Sequence, residues 1–241
     1  MTQNGSNGDF TLHVANVRGR MSNTSYPFEA KIACVDDLVK AAQYDHVSAR
    51  YKDSRNKAGA IVKAHRAKAD FIEADNICLD CDNKQTNPVL PDIPPELWKS
   101  PDDVQAAFPG VAFYAIPSRH HMKEKDGLPA RPKYHYYFKL KQKATNGAAW
   151  AALKARVQAY FPAFDDGAID AARFMYGVEN PQPVFYDGDL CIDEFMEQLA
   201  ADAKQAQAQS AAQAPKYTAT IPVGQRNNTL SRFAALIAVF L

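Results

Sequence analysis

Three things are scarce in this 241-residue chain: cysteine, long apolar runs and net charge. No apolar stretch approaches the roughly 18–20 residues that a membrane span needs. The N-terminal segment 1–10, MTQNGSNGDF, lacks the basic and apolar regions of a signal peptide. We therefore expect a short disordered tail and a cytoplasmic protein with no membrane partner. The net charge of +1 excludes a global field that would by itself attract nucleic acid.

The four cysteines are too few for a disulfide scaffold. Cys78 and Cys81 form a CxxC motif, which invites a zinc site. Residues three apart on a strand point to opposite faces, so the pair cannot chelate one ion, and the sequence has no second cysteine pair. We expect small core residues and no zinc.

Charge is unevenly distributed along the chain. The segment 50–68 carries seven Lys and Arg against Asp53, and the segment 119–143 carries eight against Glu124 and Asp126, a balance of +6 in each. Such stretches are typical of surfaces that attract phosphates, although two solvated faces would give the same pattern. With 46% hydrophobic and 23% charged residues, the chain suits one large domain, with or without an appendage.

The segment 77–83, ICLDCDN, is the most informative one. Side chains alternate along a strand, so Asp80 and Asp82 point one way while Leu79 and Cys81 point the other. Two neighbouring carboxylates are costly to bury unless a cation neutralises them. A divalent metal with oxygen ligands is the usual solution. On this segment alone, a strand end at which both Asp face water is an equal alternative.

Apolar spacing predicts the main elements. We expect helices over 35–43 and 193–200, and a third that begins at Ser100 as its N-cap. A fourth helix should begin at Thr145 or Asn146 and bury one apolar stripe. A buried strand is expected over 111–117.

A second strand is expected over 133–140, KYHYYFKL. Its alternation places His135 on one face with Tyr137 and Lys139. The opposite face is the predicted core face, formed by Tyr134, Tyr136, Phe138 and Leu140. His135 is thereby left on the other side, where it is available for function. A lone strand histidine is otherwise more often structural.

The order and spacing of these pieces resemble the archaeo-eukaryotic primase superfamily, the primase-polymerases. ICLDCDN is similar to the Asp-x-Asp strand of that family, which implies Asp80 and Asp82 as metal ligands. PKYHYYF is similar to the strand that bears a nucleotide-binding histidine, here His135. Lys133 is a departure, because the family usually has a small residue at that place.

The segment 164–177 resembles the third motif of the family, in which a hydrophobic-Asp step is followed eight residues on by an Arg. The resemblance implies Asp165 as a third metal ligand and Arg173 as a contact of the triphosphate. Asp166 and Asp170 are competitors, and Asp170 is favoured as a cap of the short helix before Arg173.

The resemblance also implies an α+β fold, in which helices flank an RRM-like mixed or antiparallel sheet, plus a C-terminal helical appendage. The expected divisions are a disordered tail over 1–10, a catalytic domain over 11–198 and an Ala/Gln-rich linker over 199–216. The segment 224–236, GQRNNTLSRFAAL, resembles the opening of the helical domain of plasmid and phage members. We therefore expect 217–241 to be the truncated start of such a domain.

The implied activity is template-directed nucleotidyl transfer by a DNA primase-polymerase in plasmid or phage replication. Two Mg²⁺ or Mn²⁺ ions, held by the three catalytic acids, would act on nucleoside triphosphates and a single-stranded DNA template. A replicative helicase is a further expected partner. The expected nucleotide-binding residues are His135, Ser118, Arg119, His121, Lys123 and Arg173. The expected DNA-binding residues are Arg50, Lys52, Arg55 and Lys57.

Two alternative functions remain open. One is a metal-dependent nuclease or a rolling-circle replication initiator, although the adjacent pair His120-His121 lacks the spacing that initiators use. The other is a non-catalytic nucleic-acid-binding module on the same fold, with Tyr134 and Tyr136 as stacking platforms.

Overall fold

The computed structural model describes residues 9–85, 89–125 and 127–213. Contacts divide the chain into two compact units, Met1–Ala200 and Ala201–Leu241. The first unit combines helices with antiparallel sheets, so the predicted α+β class is confirmed. In the second unit the described residues, 201–213, are helical. No helix in the described ranges combines the length and hydropathy that a membrane crossing requires.

Four α-helices lie in the described ranges, and local capping explains where two of them begin. They are α1 (Val35–Ala41), α2 (Pro101–Ala107), α3 (Gly147–Tyr160) and α4 (Ile192–Gln213). Ser100 and Asp103 form a reciprocal capping box at the start of α2, with proline at the first turn. The Asn146 side chain accepts hydrogen bonds from the backbone N–H groups of Ala148 and Ala149 at the start of α3.

The strands form a three-stranded, a five-stranded and a two-stranded sheet, and every strand pair is antiparallel. The orders are β2-β1-β3, β10-β8-β9-β7-β4 and β5-β6. The strands are β1 (Phe10–Val14), β2 (Phe28–Ile32), β3 (His46–Val47), β4 (Ala49–Tyr51), β5 (Ser54–Arg55), β6 (Ile61–Val62), β7 (Phe71–Cys81), β8 (Phe113–Pro117), β9 (Tyr134–Ala144) and β10 (Val184–Tyr186). The long strands β7 and β9 lie next to each other within the five-stranded sheet.

Both faces of the five-stranded sheet are buried. One face packs against α2, α3 and the first turns of α4, with Phe108 and Trp150 prominent among the contacts. The other face packs against β1, β2 and α1, where Leu12 and Leu38 are fully buried. Cys78 belongs to the second cluster and Cys81 to the first, as the alternation of strand side chains predicts.

Two of the predicted divisions of the chain, the N-terminal tail and the linker, differ from what the structure shows. Phe10, the last residue of the predicted tail, is buried and begins β1. The helix predicted over 193–200 continues to Gln213, because the segment after Ala200 consists of good helix formers without Pro or Gly. The predicted linker is therefore helical as far as Gln213. The expectations for residues 1–8, 214–216 and 217–241 lie outside the described residues.

Candidate active site

Two carboxylates at the end of β7 face two side chains at the start of β9 across one strand pair. The register sets Asp80 opposite His135 and Cys81 opposite Tyr134, so Asp82 follows opposite Lys133. Asp80 and His135 are both buried, and Asp80 Oδ1 lies 3.3 Å from His135 Nε2. Lys133 is buried too, and its Nζ lies 3.6 Å from Asp82 Oδ2. The alternation predicted from the sequence thus gathers both acids and the histidine on one face.

The face of β9 that carries His135 is not a free surface. Tyr137, two residues along on the same face, is completely buried beside Phe10 of β1. The prediction that one face of β9 is core and the other open was therefore incomplete, since β1 and α1 cover the second face. At the end of that face, Asp80 and His135 adjoin charged side chains, Arg173 among them. The functional surface is correspondingly small.

The segment 164–173 approaches the opposite edge of β7 from β9. The Asp165 N–H donates to the Asp80 carbonyl oxygen at 2.8 Å, and this bond fixes Asp165 beside the strand. Arg173 returns to the same point, with Nη2 2.6 Å from Asp80 Oδ2. The structure thus brings Asp165 and Arg173, eight residues apart in sequence, to the Asp80 carboxylate and its backbone.

Asp170 and Asp166 are placed differently. Asp170 Oδ1 accepts a hydrogen bond from the Ala172 N–H, and Asp170 Oδ2 lies 2.5 Å from Lys68 Nζ. Asp170 therefore caps the turn before Arg173 and not the short helix, so the helix-capping role predicted for it is wrong. Asp166 is exposed at the start of a short 3₁₀ segment that Asp165 caps through the Gly167 N–H.

Each of the three acids has a cationic partner within the chain. Lys84 Nζ lies 3.7 Å from Asp82 Oδ2 and 3.8 Å from Asp165 Oδ2. Lys133 and Arg173 complete the set, at Asp82 and Asp80 respectively. Within the described ranges, no three His, Cys, Asp or Glu side chains are placed to hold a metal ion as they stand. In the structure, Lys84, Lys133 and Arg173 neutralise the carboxylates instead.

The donor set nevertheless fits a divalent cation. Asp80 Oδ1 is buried and accepts no hydrogen bond from the described residues. A buried carboxylate oxygen without a donor is costly. The three acids supply hard oxygen ligands of the kind that Mg²⁺ and Mn²⁺ prefer. Asp80, Asp82 and Asp165 are therefore the residues that could hold such an ion.

Burial governs the ionisation of the groups around Asp80. Desolvation lowers the pKa of His135, and the negative charge of Asp80 opposes that shift only in part. Burial alone would also lower the pKa of Arg173, but the adjacent Asp80 raises it above its ordinary value. At neutral pH the histidine is thus uncharged and the arginine remains a cation.

A basic cavity lies beyond β9, on the side away from Asp165. It has a volume of about 540 Å³, and Ser118, Arg119, His121 and Lys123 from the loop after β8 are among the residues that line it. These four are the nucleotide-binding residues predicted in this loop, and the structure brings them together; the other two, His135 and Arg173, do not line the cavity. The Arg119 guanidinium stacks 3.5 Å from the centre of the Tyr176 ring, which fixes its direction. His121 packs against the backbone of Lys133, which links the loop to the acid-bearing strands.

Sequence reasoning missed three further charged residues at this cavity, of which Glu179 is an acid that lines it. Arg18 lines it from the segment after β1. Asp45, fully buried, accepts hydrogen bonds from the N–H groups of Gly19, Arg20 and Gly177, and so joins two of the cavity's walls. No local pattern marks these residues, because their roles arise from contacts between distant segments.

The four predicted DNA-binding residues are exposed on β4, on β5, on the link between these strands and on the turn that follows β5. Arg50 pairs with Glu73 and Lys52 with Asp70, so two of the four charges are locally balanced. Arg55 Nη1 donates to the Gly59 carbonyl oxygen within the β5-β6 hairpin. None of these ion pairs or hydrogen bonds reaches the three acids. The excess of positive charge over 50–68 is therefore smaller on the folded surface than in the sequence.

Three lysines around the site received no functional role in the sequence-based prediction: Lys84, Lys133 and Lys154. Lys133 had a usable signal, since a residue two places before His135 must share its face. Lys154 of α3 is buried next to Trp150, and desolvation lowers its pKa to about 8. Its Nζ donates to the Asp170 carbonyl oxygen at 3.4 Å and supports the turn that carries Arg173.

No family model matches this chain, and no curated protein sequence matches it. Among solved structures, the chain is similar to the AEP domain of the primase-polymerase of cyanophage S-2L. The identity is 12% and the TM-score 0.40, over 78% of this chain and 88% of that one. At that TM-score, the function has to be argued from this chain's own side chains.

Proposed function

We propose that this protein is a primase-polymerase, a nucleotidyltransferase that joins nucleotides on a single-stranded DNA template. The observation that carries the proposal is the meeting of Asp80, Asp82 and Asp165 at the end of β7, with His135 and Arg173 beside them. The motif resemblance described above predicts these same five residues from sequence. A carboxylate cluster next to a basic cavity is the arrangement that metal-assisted phosphoryl chemistry requires.

The nucleoside triphosphate would bind on the β9 side of the acids. Arg119 and Lys123 line the basic cavity and would attract its phosphates. His135, uncharged and buried, would orient a phosphate oxygen as a hydrogen-bond donor. Because phosphoryl transfer asks little covalent chemistry of the protein, positioning and charge neutralisation should supply most of the rate.

The acids would hold Mg²⁺ or Mn²⁺, which when bound supplies charge neutralisation and activation of the attacking 3′-hydroxyl. Asp82 and Asp165 flank the strand end, and Asp80 lies between them and His135. Arg173 keeps Asp80 oriented through its hydrogen bond at 2.6 Å. The relative positions of these side chains would determine where the metal ion and the reacting phosphate lie.

The test is metal-dependent synthesis on a single-stranded template, with and without a primer. We expect the unsubstituted chain to incorporate nucleotides with Mg²⁺ or Mn²⁺. Asp82→Asn and Asp165→Asn should each reduce the rate by about 10³-fold, which corresponds to about 4 kcal/mol. Asp166→Asn, a change of the exposed neighbour, is the matched control and should retain the rate.

Three outcomes decide between the assignments. If the unsubstituted chain synthesises nothing, the proposed activity is refuted. If Asp82→Asn and the unsubstituted chain synthesise equally well, the assignment of the site is refuted. A large loss in Asp170→Asn with none in Asp165→Asn would show that the third acid is misassigned.

The two alternatives receive less support from the geometry. The ring of His121 is engaged with the Lys133 backbone, which leaves His120-His121 poorly suited to the role that an initiator's histidines play. Tyr136 is completely buried in the core, so it cannot stack on a base as the non-catalytic reading requires. Cleavage of a labelled strand without added nucleotides would favour the nuclease.

A further inference from the structure

Lys84 occupies the space between two of the three acids. Its Nζ lies 3.7 Å from Asp82 Oδ2 and 3.8 Å from Asp165 Oδ2. The two carboxylates come from segments more than 80 residues apart, so a single ammonium group bridges two distant parts of the chain. Both distances exceed those of a good hydrogen bond, and the contacts are ionic only.

The other two cations that pair with the three acids, Arg173 and Lys133, are held more firmly. Arg173 donates to Asp80 at 2.6 Å, a short charge-assisted hydrogen bond. The Lys133 side chain is 7% exposed, enclosed by the strands it contacts. The Lys84 side chain is 35% exposed. Among these three cations, Lys84 alone bridges two acids, and it is far more exposed than Lys133.

The backbone that carries Lys84 is fixed even though its side chain is not. The preceding residue, Asn83, accepts a hydrogen bond at its carbonyl oxygen from Arg131 Nη1 at 2.8 Å. The Asn83 side chain donates to the carbonyl oxygens of Lys99 and Pro132 and accepts from the Lys99 N–H. A cavity of about 330 Å³ adjoins Asp82 and Asp165, and Lys84 is one of the residues that line it. The ammonium group can therefore leave the acids while its backbone stays in place.

We propose that Lys84 is the resident counter-ion of Asp82 and Asp165, and that a divalent metal must displace it in order to bind. The proposal rests on the metal site of the proposed function. Three carboxylates facing Lys84, Lys133 and Arg173 sum to a neutral cluster, which attracts a cation weakly. Lys84 thereby sets the metal affinity of the site: it lowers the affinity while stabilising the metal-free protein.

The experiment measures Mn²⁺ binding without nucleotide or DNA, from the electron paramagnetic resonance signal of free Mn²⁺. We expect Lys84→Met to bind Mn²⁺ about tenfold more tightly than the unsubstituted protein, equivalent to about 1.4 kcal/mol. Lys84→Arg keeps the charge and should show no such gain. The matched control is Lys99→Met, because Lys99 lines the same cavity but pairs with Asp103.

A second readout follows from the same competition. Without metal, Lys84→Met should melt at a lower temperature than the unsubstituted protein, because two carboxylates lose their shared cation. With saturating Mn²⁺ the difference in melting temperature between the two proteins should become smaller or change sign, since tighter binding stabilises the folded state more. Circular dichroism on every variant establishes that each is folded.

The outcomes separate this inference from the proposed function. Equal or weaker Mn²⁺ binding by folded Lys84→Met, with binding lost in Asp82→Asn, would overturn the role of Lys84 and leave the metal site standing. No Mn²⁺ binding by either the unsubstituted protein or Lys84→Met would overturn both. A tenfold gain in Lys99→Met as well would show a general charge effect and would also overturn the specific role of Lys84.

Discussion

The Asp80–Arg173 ion pair allows a sharp test of how the site is held together, because its partners are unequally buried. The Asp80 side chain is 8% exposed, whereas that of Arg173 is 38% exposed. Arg173→Met would leave a carboxylate with little access to water, and one of its oxygens already accepts no hydrogen bond. Asp80→Asn would leave a guanidinium that water still reaches. We therefore expect Arg173→Met to destabilise the protein more than Asp80→Asn.

The magnitudes follow from burial. Removing one partner of a fully buried pair costs about 3–5 kcal/mol, so we expect a loss of about 3 kcal/mol for Arg173→Met. The exposure of Arg173 reduces the expected cost of Asp80→Asn to about 1 kcal/mol. The double variant should cost about 1–2 kcal/mol less than the sum of the single ones, because it leaves neither charge unpaired.

Urea unfolding in the presence of EDTA, followed by circular dichroism and by tryptophan fluorescence, measures these differences. Lys68→Met is the matched control, since it breaks the exposed Lys68–Asp170 pair and should cost less than about 1 kcal/mol. A cost for Asp80→Asn equal to or above that for Arg173→Met would refute the reasoning from burial. Strict additivity in the double variant would refute direct coupling.

Three further predictions concern other parts of the molecule. Burial lowers the pKa of His46 to about 4, so the neutral histidine makes its full contribution to the free energy of unfolding above pH 6.5. About 3 kcal/mol of that free energy is lost as the pH falls toward 4. Urea unfolding at several pH values should show that the free energy of unfolding of His46→Gln depends less steeply on pH. Arg131 is fully buried and pairs with Asp92, so Asp92→Ala, which leaves that cation buried and unpaired, should cost about 3 kcal/mol in the same assay, and a cost below about 1 kcal/mol would contradict this. Arg119→Ala should raise the KM for nucleotide about tenfold with less effect on kcat, and an unchanged KM in steady-state kinetics would place the triphosphate elsewhere.

Short-range rules predicted the directions of strand side chains and the starts of two helices. Alternation along a strand predicted that Asp80 and Asp82 share a face and that His135 lies on the face of β9 away from Tyr136, and the register then sets His135 opposite Asp80. The capping residues Ser100 and Asn146 begin their helices as expected. The two cysteines of the CxxC motif pack into different clusters for the same geometric reason.

Only the tertiary structure decided which groups neutralise the acids. Lys84 and Lys133 are positioned by a bend after β7 and by the register of β9, and the segment 164–173 folds back onto Asp80 through one backbone hydrogen bond. The structure likewise covers the second face of β9 and pairs Arg50 with Glu73 and Lys52 with Asp70. Periodicity specifies the direction of a side chain along its own element. The energy of a charge depends instead on distances to residues far away in the chain, and those distances exist only after folding.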